Sequence, residues 1–553
     1  MDILKKKLLR VIVLLMLILV MLIKASTFVP LSEVSKTPES ETPNVDEFAV
    51  PGFGVVADDS RAVNIGMDVL KKGGSAVDAA IAISYAMGVV LPVATGLGGS
   101  GIMLVYPGDG TTPVVYDYMG SASQNISGKS AVPGFVKGMV AAHNDFGKLE
   151  MAELLDPSIK LAKDGSPVSA LLSTLTNNSG FRISSSLRGT FFNNGKAIAK
   201  DEILKQPNLA KALEIIKNDY VDFYEGEIAK EIVKNSNLTL KDLVGYQVIK
   251  REPIKGMFSG YEVYSSTPPS GGVTLVQTLS LAEKLKLGNI KENSAKYISL
   301  LAAITQVTYN DRLGNIGDPS FHDLDTNGLT SDEYINNLAL QVELIDSFDQ
   351  LPVDDSPAIV EDEENTTHIV VYDENGMMVS LTNTLTQFFG TGESAYGFFL
   401  NNHMDNFSLN SKSINAVEEG KRPRSYIAPT ILVKDEKPVI GIGSPGGMRI
   451  PLMLTQVMVR FLENKESIQA AIDAPRFFYN ENKLYIEKNY LSELEMDKLR
   501  KVGVSVILYN SQQFYGSVNA LYIDYENKEI KGGADPRRNG TWEWIGNSNK
   551  TND

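Results

Sequence analysis

Two periods of apolar residues divide this chain into helices and strands. From 60 to 72, Ala62, Ile65, Val69 and Leu70 recur at helical spacing, and Gly73-Gly74 supplies a C-terminal stop. Ser75 then caps a second helix with Asp78 in its first turns. The apolar run of that helix, 79–90, has almost no polar face, which predicts burial on all sides. Residues 149–250 are expected to be mainly helical, with helical spacing over 151–163, 209–218 and 225–235. Further helices are expected over 273–285, 295–309 and 450–462, the first of them after the rigid turn Pro268-Pro269-Ser270-Gly271-Gly272. Strand patterns fall at 102–106, 254–257, 261–265, 426–433, 439–443 and 518–525.

One stretch stands apart. Residues 349–365 (DQLPVDDSPAIVEDEEN) are acidic and weakly apolar, and Asn365-Thr366-Thr367-His368 ends that run. An apolar strand follows at 369–372, then Asp373-Glu374-Asn375-Gly376, then a second strand at 377–385. The pattern predicts a loop feeding a β-hairpin. A cut between Asn365 and Thr366 would leave Thr366 as an N-terminal residue on a strand, with its hydroxyl as nucleophile and its own α-amine as base. Taken alone, an ordinary exposed loop before a hairpin is the simpler account, because Thr-Thr is common at strand starts.

Composition narrows the chemistry. The 553 residues, 43% of them apolar, are ample for a large core in one domain or several. Lys and Arg number 52 against 67 Asp and Glu, a net −15, which argues against broad binding to nucleic acid or an anionic surface. An anionic substrate would have to meet local arginines. The absence of cysteine excludes disulfides, thiolate metal sites and a cysteine nucleophile. His143, His322, His368 and His403 show no metal-ligand spacing, so neither a metal nor another cofactor is expected. Lys5, Lys6, Lys7 and Arg10 precede an apolar run at 11–23, shorter than the roughly 20 residues of a full span. Residues 1–25 therefore read as a signal peptide or N-terminal membrane anchor and 26–50 as a flexible linker. Both readings put the rest outside the cytoplasm, extracellular or at the outer face of the cell membrane.

Two glycine clusters carry further meaning. The run Gly96-Leu97-Gly98-Gly99-Ser100-Gly101 formally matches a dinucleotide fingerprint, but a helix precedes it and a strand follows, the reverse of the order that site requires. It reads as a close-packed turn. Ser444-Pro445-Gly446-Gly447 ends a strand and precedes a helix, so bare backbone N–H groups can point at an anion, as an oxyanion hole requires. Without a nucleophile nearby it would be a tight turn and no more.

Together, and in this order, Gly73-Gly74-Ser75-Ala76-Val77-Asp78-Ala79-Ala80, residues 96–101, Val132-Pro133-Gly134, Thr366-Thr367-His368, Phe389-Gly390-Thr391-Gly392, Leu400-Asn401-Asn402 and Gly443-Ser444-Pro445-Gly446-Gly447 resemble the γ-glutamyltranspeptidase family of N-terminal-nucleophile hydrolases. The resemblance spans about 52–540. It implies an α+β fold, a four-layer αββα sandwich formed jointly by two self-cleaved subunits, 51–365 and 366–553. It implies that Thr366 is the nucleophile, freed by processing at Asn365–Thr366. Thr384 matches the threonine placed near the new α-amine, and Gly446 and Gly447 match the oxyanion hole. Asn402, Asn406, Ser425, Tyr426 and Arg538 fall on the substrate side, with a solvated surface charge equally open for Arg538.

Within the family, residues 380–385 (SLTNTL), 388–392 (FFGTG), 398–402 (FFLNN) and 537–542 resemble the branch acting on the capsule polymer poly-γ-glutamate. Three departures point the same way. Tyr118-Met119-Gly120 stands where the family has an Arg-Glu pair that grips the substrate carboxylate. Asn406 replaces an aspartate that holds a free α-amine, and Tyr426, beside Ser425, replaces a serine. The expected activity is hydrolysis or transfer of γ-glutamyl amides, with water or an amine, such as one in the cell wall, as acceptor. A conventional glutathione hydrolase or related acylase is the alternative. A non-catalytic polyanion-binding protein on the same scaffold is the third reading, and it predicts a chain that never cleaves.

Overall fold

The computed structural model describes residues 50, 52–345, 364–480 and 482–546. The expected export segment, nearly all of the linker and most of the acidic stretch lie outside the described residues. Among those described, no helix is long and apolar enough to cross a membrane.

Two sheets carry the fold. The larger has seven strands in the order Thr541–Gly546, Gly52–Ala57, Glu364–Tyr372, Met378–Gln387, Ser100–Tyr106, Val114–Asp117 and Ile249–Arg251. The other has six, in the order Glu529–Gly533, Asn519–Asp524, Lys437–Gly443, Thr430–Lys434, Tyr261–Ser265 and Ile254–Phe258. All these pairings are antiparallel. The predicted hairpin, Glu364–Tyr372 with Met378–Gln387, lies at the middle of the larger sheet.

Alternation along these strands assigns their faces. Met103, Val105, Ile369, Val371, Val379 and Leu381 share one core with the helix Ala76–Val90. All fifteen residues of that helix are buried, and Ser75 and Asp78 close its N-terminus with a capping box. Ile102, Leu104, Val370 and Met378 instead join the core containing Ile431, Leu432, Ile440 and Ile442 of the second sheet. The two sheets approach closely at Gly441, where an added Cβ would strike Val370. On the second sheet, Gly272–Lys284 packs against Ile254–Phe258 and against the helices Ala295–Asn315 and Ile450–Met458.

Several boundaries differ from the sequence reading. The helix expected over 225–235 is interrupted at Gly226, giving Asp222–Glu225 and Glu227–Lys234. The helix expected to reach 462 is α-helical only to Met458 and continues as a π-helical turn, Val459–Glu463. The strand expected over 426–433 begins at Thr430, because Pro429 has no N–H to give a ladder, and Ser425 and Tyr426 lie on irregular chain before it. The first hairpin strand begins at Glu364, not Ile369, so Thr366 sits within a strand and not in an exposed loop. Its polar start hid it from an apolar pattern.

Candidate active site

The face between the two sheets changes character along its length. Residues two apart share a face, so Thr366 and His368 lie with Val370, and Thr382 and Thr384 with Met378. The register pairs Thr366 with Thr384 and Thr384 with Ser100, and His368 with Thr382. One end of this surface is therefore lined by hydroxyls, while the other carries Ile102, Leu104 and Val370.

The ladder is irregular at the peptide that the sequence marks for cleavage. Asn365 pairs with Thr386 and Thr366 with Thr384, which leaves Leu385 as the extra residue of a β-bulge. The Leu385 backbone bonds elsewhere: its N–H donates to the Ala94 carbonyl at 3.0 Å, and its carbonyl accepts from Asn402 at 3.2 Å. Thr386 takes φ +78°, in the left-handed region. Its N–H donates to Thr384 Oγ1 at 2.8 Å. Thr384 Oγ1 also accepts from Thr366 Oγ1 at 3.4 Å. The bulge thus aims one threonine hydroxyl at the other. Both threonines are 4% exposed.

The neighbouring His368 is not the base for this pair. Its Nδ1 lies 2.9 Å from Thr382 Oγ1, and burial pushes its pKa down to about 3, so it is neutral. Its ring fills the space above Gly443, where an added Cβ would strike it.

Gly443 ends the strand Lys437–Gly443, and the chain turns through Ser444-Pro445 into Gly446 (φ +133°) and Gly447 (φ +54°). Both values lie where side chains are disfavoured, which explains paired glycines here. The turn Gly447–Arg449 contacts the strand Glu364–Tyr372. Ser444 Oγ donates to the Pro445 carbonyl at 2.6 Å and accepts from Ser517 N–H at 3.2 Å. These bonds hold the turn on its outer side.

Two arginines meet the neighbouring turn Gln512–Tyr515. Arg538 is only 3% exposed, so it is not a solvated surface charge, and its Nη2 donates to the Gln513 carbonyl at 2.9 Å. Arg449 was not anticipated. It is buried, with its guanidinium 4.4 Å from the Phe514 ring centroid. Among the described residues, its Nε and Nη2 have no hydrogen-bond partner. Gln513 and Phe514 belong to one turn, Gln512–Tyr515, and the next residue, Gly516, packs against Gly446. The signal for Arg449 was its place two residues after the Gly446-Gly447 pair.

The remaining residues expected on the substrate side fall into separate networks. Asn402 accepts from Gln387 N–H at 3.0 Å and donates to Gln387 Oε1 at 2.7 Å and Asp405 Oδ2 at 2.9 Å, anchoring the end of the Thr384 strand. Asn406 donates to the Arg424 carbonyl at 3.4 Å. The Ser425 carbonyl accepts from the buried Arg312 at 2.7 Å, and the same guanidinium lies 4.2 Å from the Tyr426 ring centroid. Met119, in the Tyr118-Met119-Gly120 stretch, is buried with its sulfur 3.8 Å from Ser100 Oγ.

The profile of the family described as gamma-glutamyltranspeptidase matches residues 62–544. The chain is 40% identical over 516 residues to the capsule biosynthesis protein CapD proenzyme of Bacillus anthracis, covering 92% of this chain and 94% of that one. It is 33% identical over 559 residues to the glutathione hydrolase proenzyme of Bacillus subtilis (strain 168), covering 93% and 95%. Its fold is similar to that of a cephalosporin acylase from Bacillus halodurans, with a TM-score of 0.78 and 23% identity over 93% of this chain and 99% of that one.

Proposed function

The chain belongs to the γ-glutamyltranspeptidase family, enzymes of the N-terminal-nucleophile hydrolase type, and from that premise we propose that it is a self-processing γ-glutamyl hydrolase or transferase acting on poly-γ-glutamate outside the cytoplasm. Residues 51–365 and 366–553 then form the two subunits of one four-layer αββα sandwich. The observation that carries this reading is the Thr366–Thr384 hydroxyl pair at a bulge on the Asn365–Thr366 peptide, with the Gly446-Gly447 turn against the same strand.

The chemistry follows from that arrangement. Thr366 Oγ1 attacks the Asn365 carbonyl, the C–N bond breaks with the proton passing to nitrogen, and water resolves the ester to leave Thr366 with a free α-amine. In turnover the same oxygen attacks a γ-glutamyl amide carbonyl. The N–H groups of Gly446 and Gly447 hold the oxyanion, and the α-amine of Thr366 carries the proton to the leaving amine. Water or an amine, such as one of the cell wall, then takes the γ-glutamyl group.

Substrate choice rests on charge. Poly-γ-glutamate carries a carboxylate on every residue and has no free α-amine at its internal residues. Arg449 and Arg538 bring two buried guanidinium groups to the turn beside the glycines, and a guanidinium is suited to bidentate carboxylate binding. Asn406 offers no charge to an ammonium group. The relatives named glutathione hydrolase favour a second reading, in which glutathione is the donor.

Intact mass of wild type beside Thr366→Ala tests the mechanism. Wild type should split, the smaller piece beginning at Thr366, while the variant stays whole; an unsplit folded wild type would sink the reading. Comparing kcat/KM for poly-γ-glutamate and glutathione then decides the substrate.

A further inference from the structure

A buried carboxylate ties the two sides of this site together across the position of the cut. Asp58 directly follows the strand Gly52–Ala57, two residues beyond Val56, which pairs with Val370. It is 3% exposed. Its Oδ1 accepts from Ser517 Oγ at 2.7 Å and from Asn519 Nδ2 at 2.7 Å. Asn519 Nδ2 also donates to the His368 carbonyl at 3.2 Å, two residues from Thr366. Ser517 N–H donates to Ser444 Oγ, the hydroxyl that braces the glycine turn. Among the described residues, Asp58 Oδ2 is buried without a hydrogen-bond partner. Asp58 lies before residue 365, and every group it touches or reaches through these bonds lies after it.

We infer that Asp58 is a positioning residue whose carboxylate holds the nucleophile strand and the oxyanion turn in one frame, and that self-cleavage requires this carboxylate ionised. The inference rests on the reading of Thr366 as the self-cleaving nucleophile. An acid protonated on Oδ2 would still accept both donors at Oδ1, but the carboxylate accepts them as charge-assisted hydrogen bonds roughly twice as strong, so the ionised form holds Ser517 and Asn519 more firmly. The groups that act on it are Ser517, Asn519 and the Arg538 charge, which favour ionisation, and burial and the Asp535 carboxylate, which oppose it. His368, on the neighbouring strand, is neutral. The balance raises the Asp58 pKa to about 6, within reach of ordinary experiments.

Self-cleavage is the readout that isolates this group. The uncut chain has no α-amine on Thr366, so an acid limb in the cleavage rate cannot come from that amine. The experiment follows cleavage of newly synthesised full-length chain by intact mass between pH 5 and 8. Wild-type cleavage should slow as pH falls through about 6. Asp58→Asn should cleave on the order of tenfold more slowly at pH 7.5 with a flat profile. Ser517→Ala removes one donor from the carboxylate and should move the limb to higher pH; it also covers the case in which Asp58→Asn fails to fold. An acid limb unchanged in both variants overturns the inference. A folded wild type that never cleaves overturns the Thr366 reading instead.

Discussion

Thr366 and Thr384 are register partners on adjacent strands, and Thr366 Oγ1 donates to Thr384 Oγ1 at 3.4 Å. The same Thr384 oxygen accepts the N–H of Thr386, which the bulge turns back towards it. A side chain thus takes the place of a ladder bond beside the Asn365–Thr366 peptide.

Thr384→Val keeps the shape and removes that oxygen. The buried Thr386 N–H loses its partner at a cost of about 1–3 kcal/mol. Self-cleavage should slow on the order of a hundredfold, while Thr384→Ser should stay close to wild type. Densitometry of the two fragments against time checks this; equal rates for Val and Ser would show that the hydroxyl does not matter.

Gly443→Ala should destabilise the protein by about 1–3 kcal/mol, because the added methyl strikes the His368 ring in a core that has no room to give. The melting temperature should drop by several degrees. An unchanged melting curve would mean that His368 can move aside.

Acid should weaken the fold through two buried histidines. Burial pushes His368 and His403 to about 3, against 6.5 when unfolded. As pH falls from 6.5 towards 3 the unfolded chain takes up protons that the folded chain refuses, so stability is lost across that window, about 5 kcal/mol per histidine. His403, which lies 3.1 Å from Ser100 Oγ through Nε2, offers the cleaner test. In urea unfolding at pH 7 and pH 5, His403→Gln should narrow the gap between the two values; a gap as wide as in wild type would contradict it.

Asp58 works in the opposite sense. Its pKa is raised from 3.8 to about 6, so the folded state holds the proton more tightly and stability falls as pH rises through that interval, by about 3 kcal/mol. Asp58→Asn should therefore melt no lower than wild type at pH 7.5 while cleaving more slowly. Parallel loss of both would reduce Asp58 to a structural role.

Arg449 is a buried charge whose Nε and Nη2 have no hydrogen-bond partner among the described residues. Arg449→Met should not lower the melting temperature, since an unpaired buried charge is costly. It should raise KM for poly-γ-glutamate about tenfold, equivalent to ~1.4 kcal/mol of binding. Unchanged KM in steady-state assays would remove Arg449 from the substrate site.

Much of this protein is decided locally, and the sequence alone therefore reveals it. Ser75 with Asp78 caps a helix whatever surrounds it, the 79–90 run can only be buried, and Gly446-Gly447 after a strand announces a left-handed turn. The order of these motifs also marked Thr366 and Thr384. Tertiary structure decided what depends on residues distant in sequence. The start of the Thr366 strand has no apolar signature, because Thr366 and His368 are buried against hydroxyl partners on Met378–Gln387 that lie far from any local pattern. Arg538 could have been solvated until the Gln512–Tyr515 turn enclosed it. Asp58 has no local signature, because its partners Ser517 and Asn519 come from the far end of the chain. Local propensity sees neighbours within a few residues, whereas the field at a buried carboxylate is set by whatever the fold brings within a few ångströms.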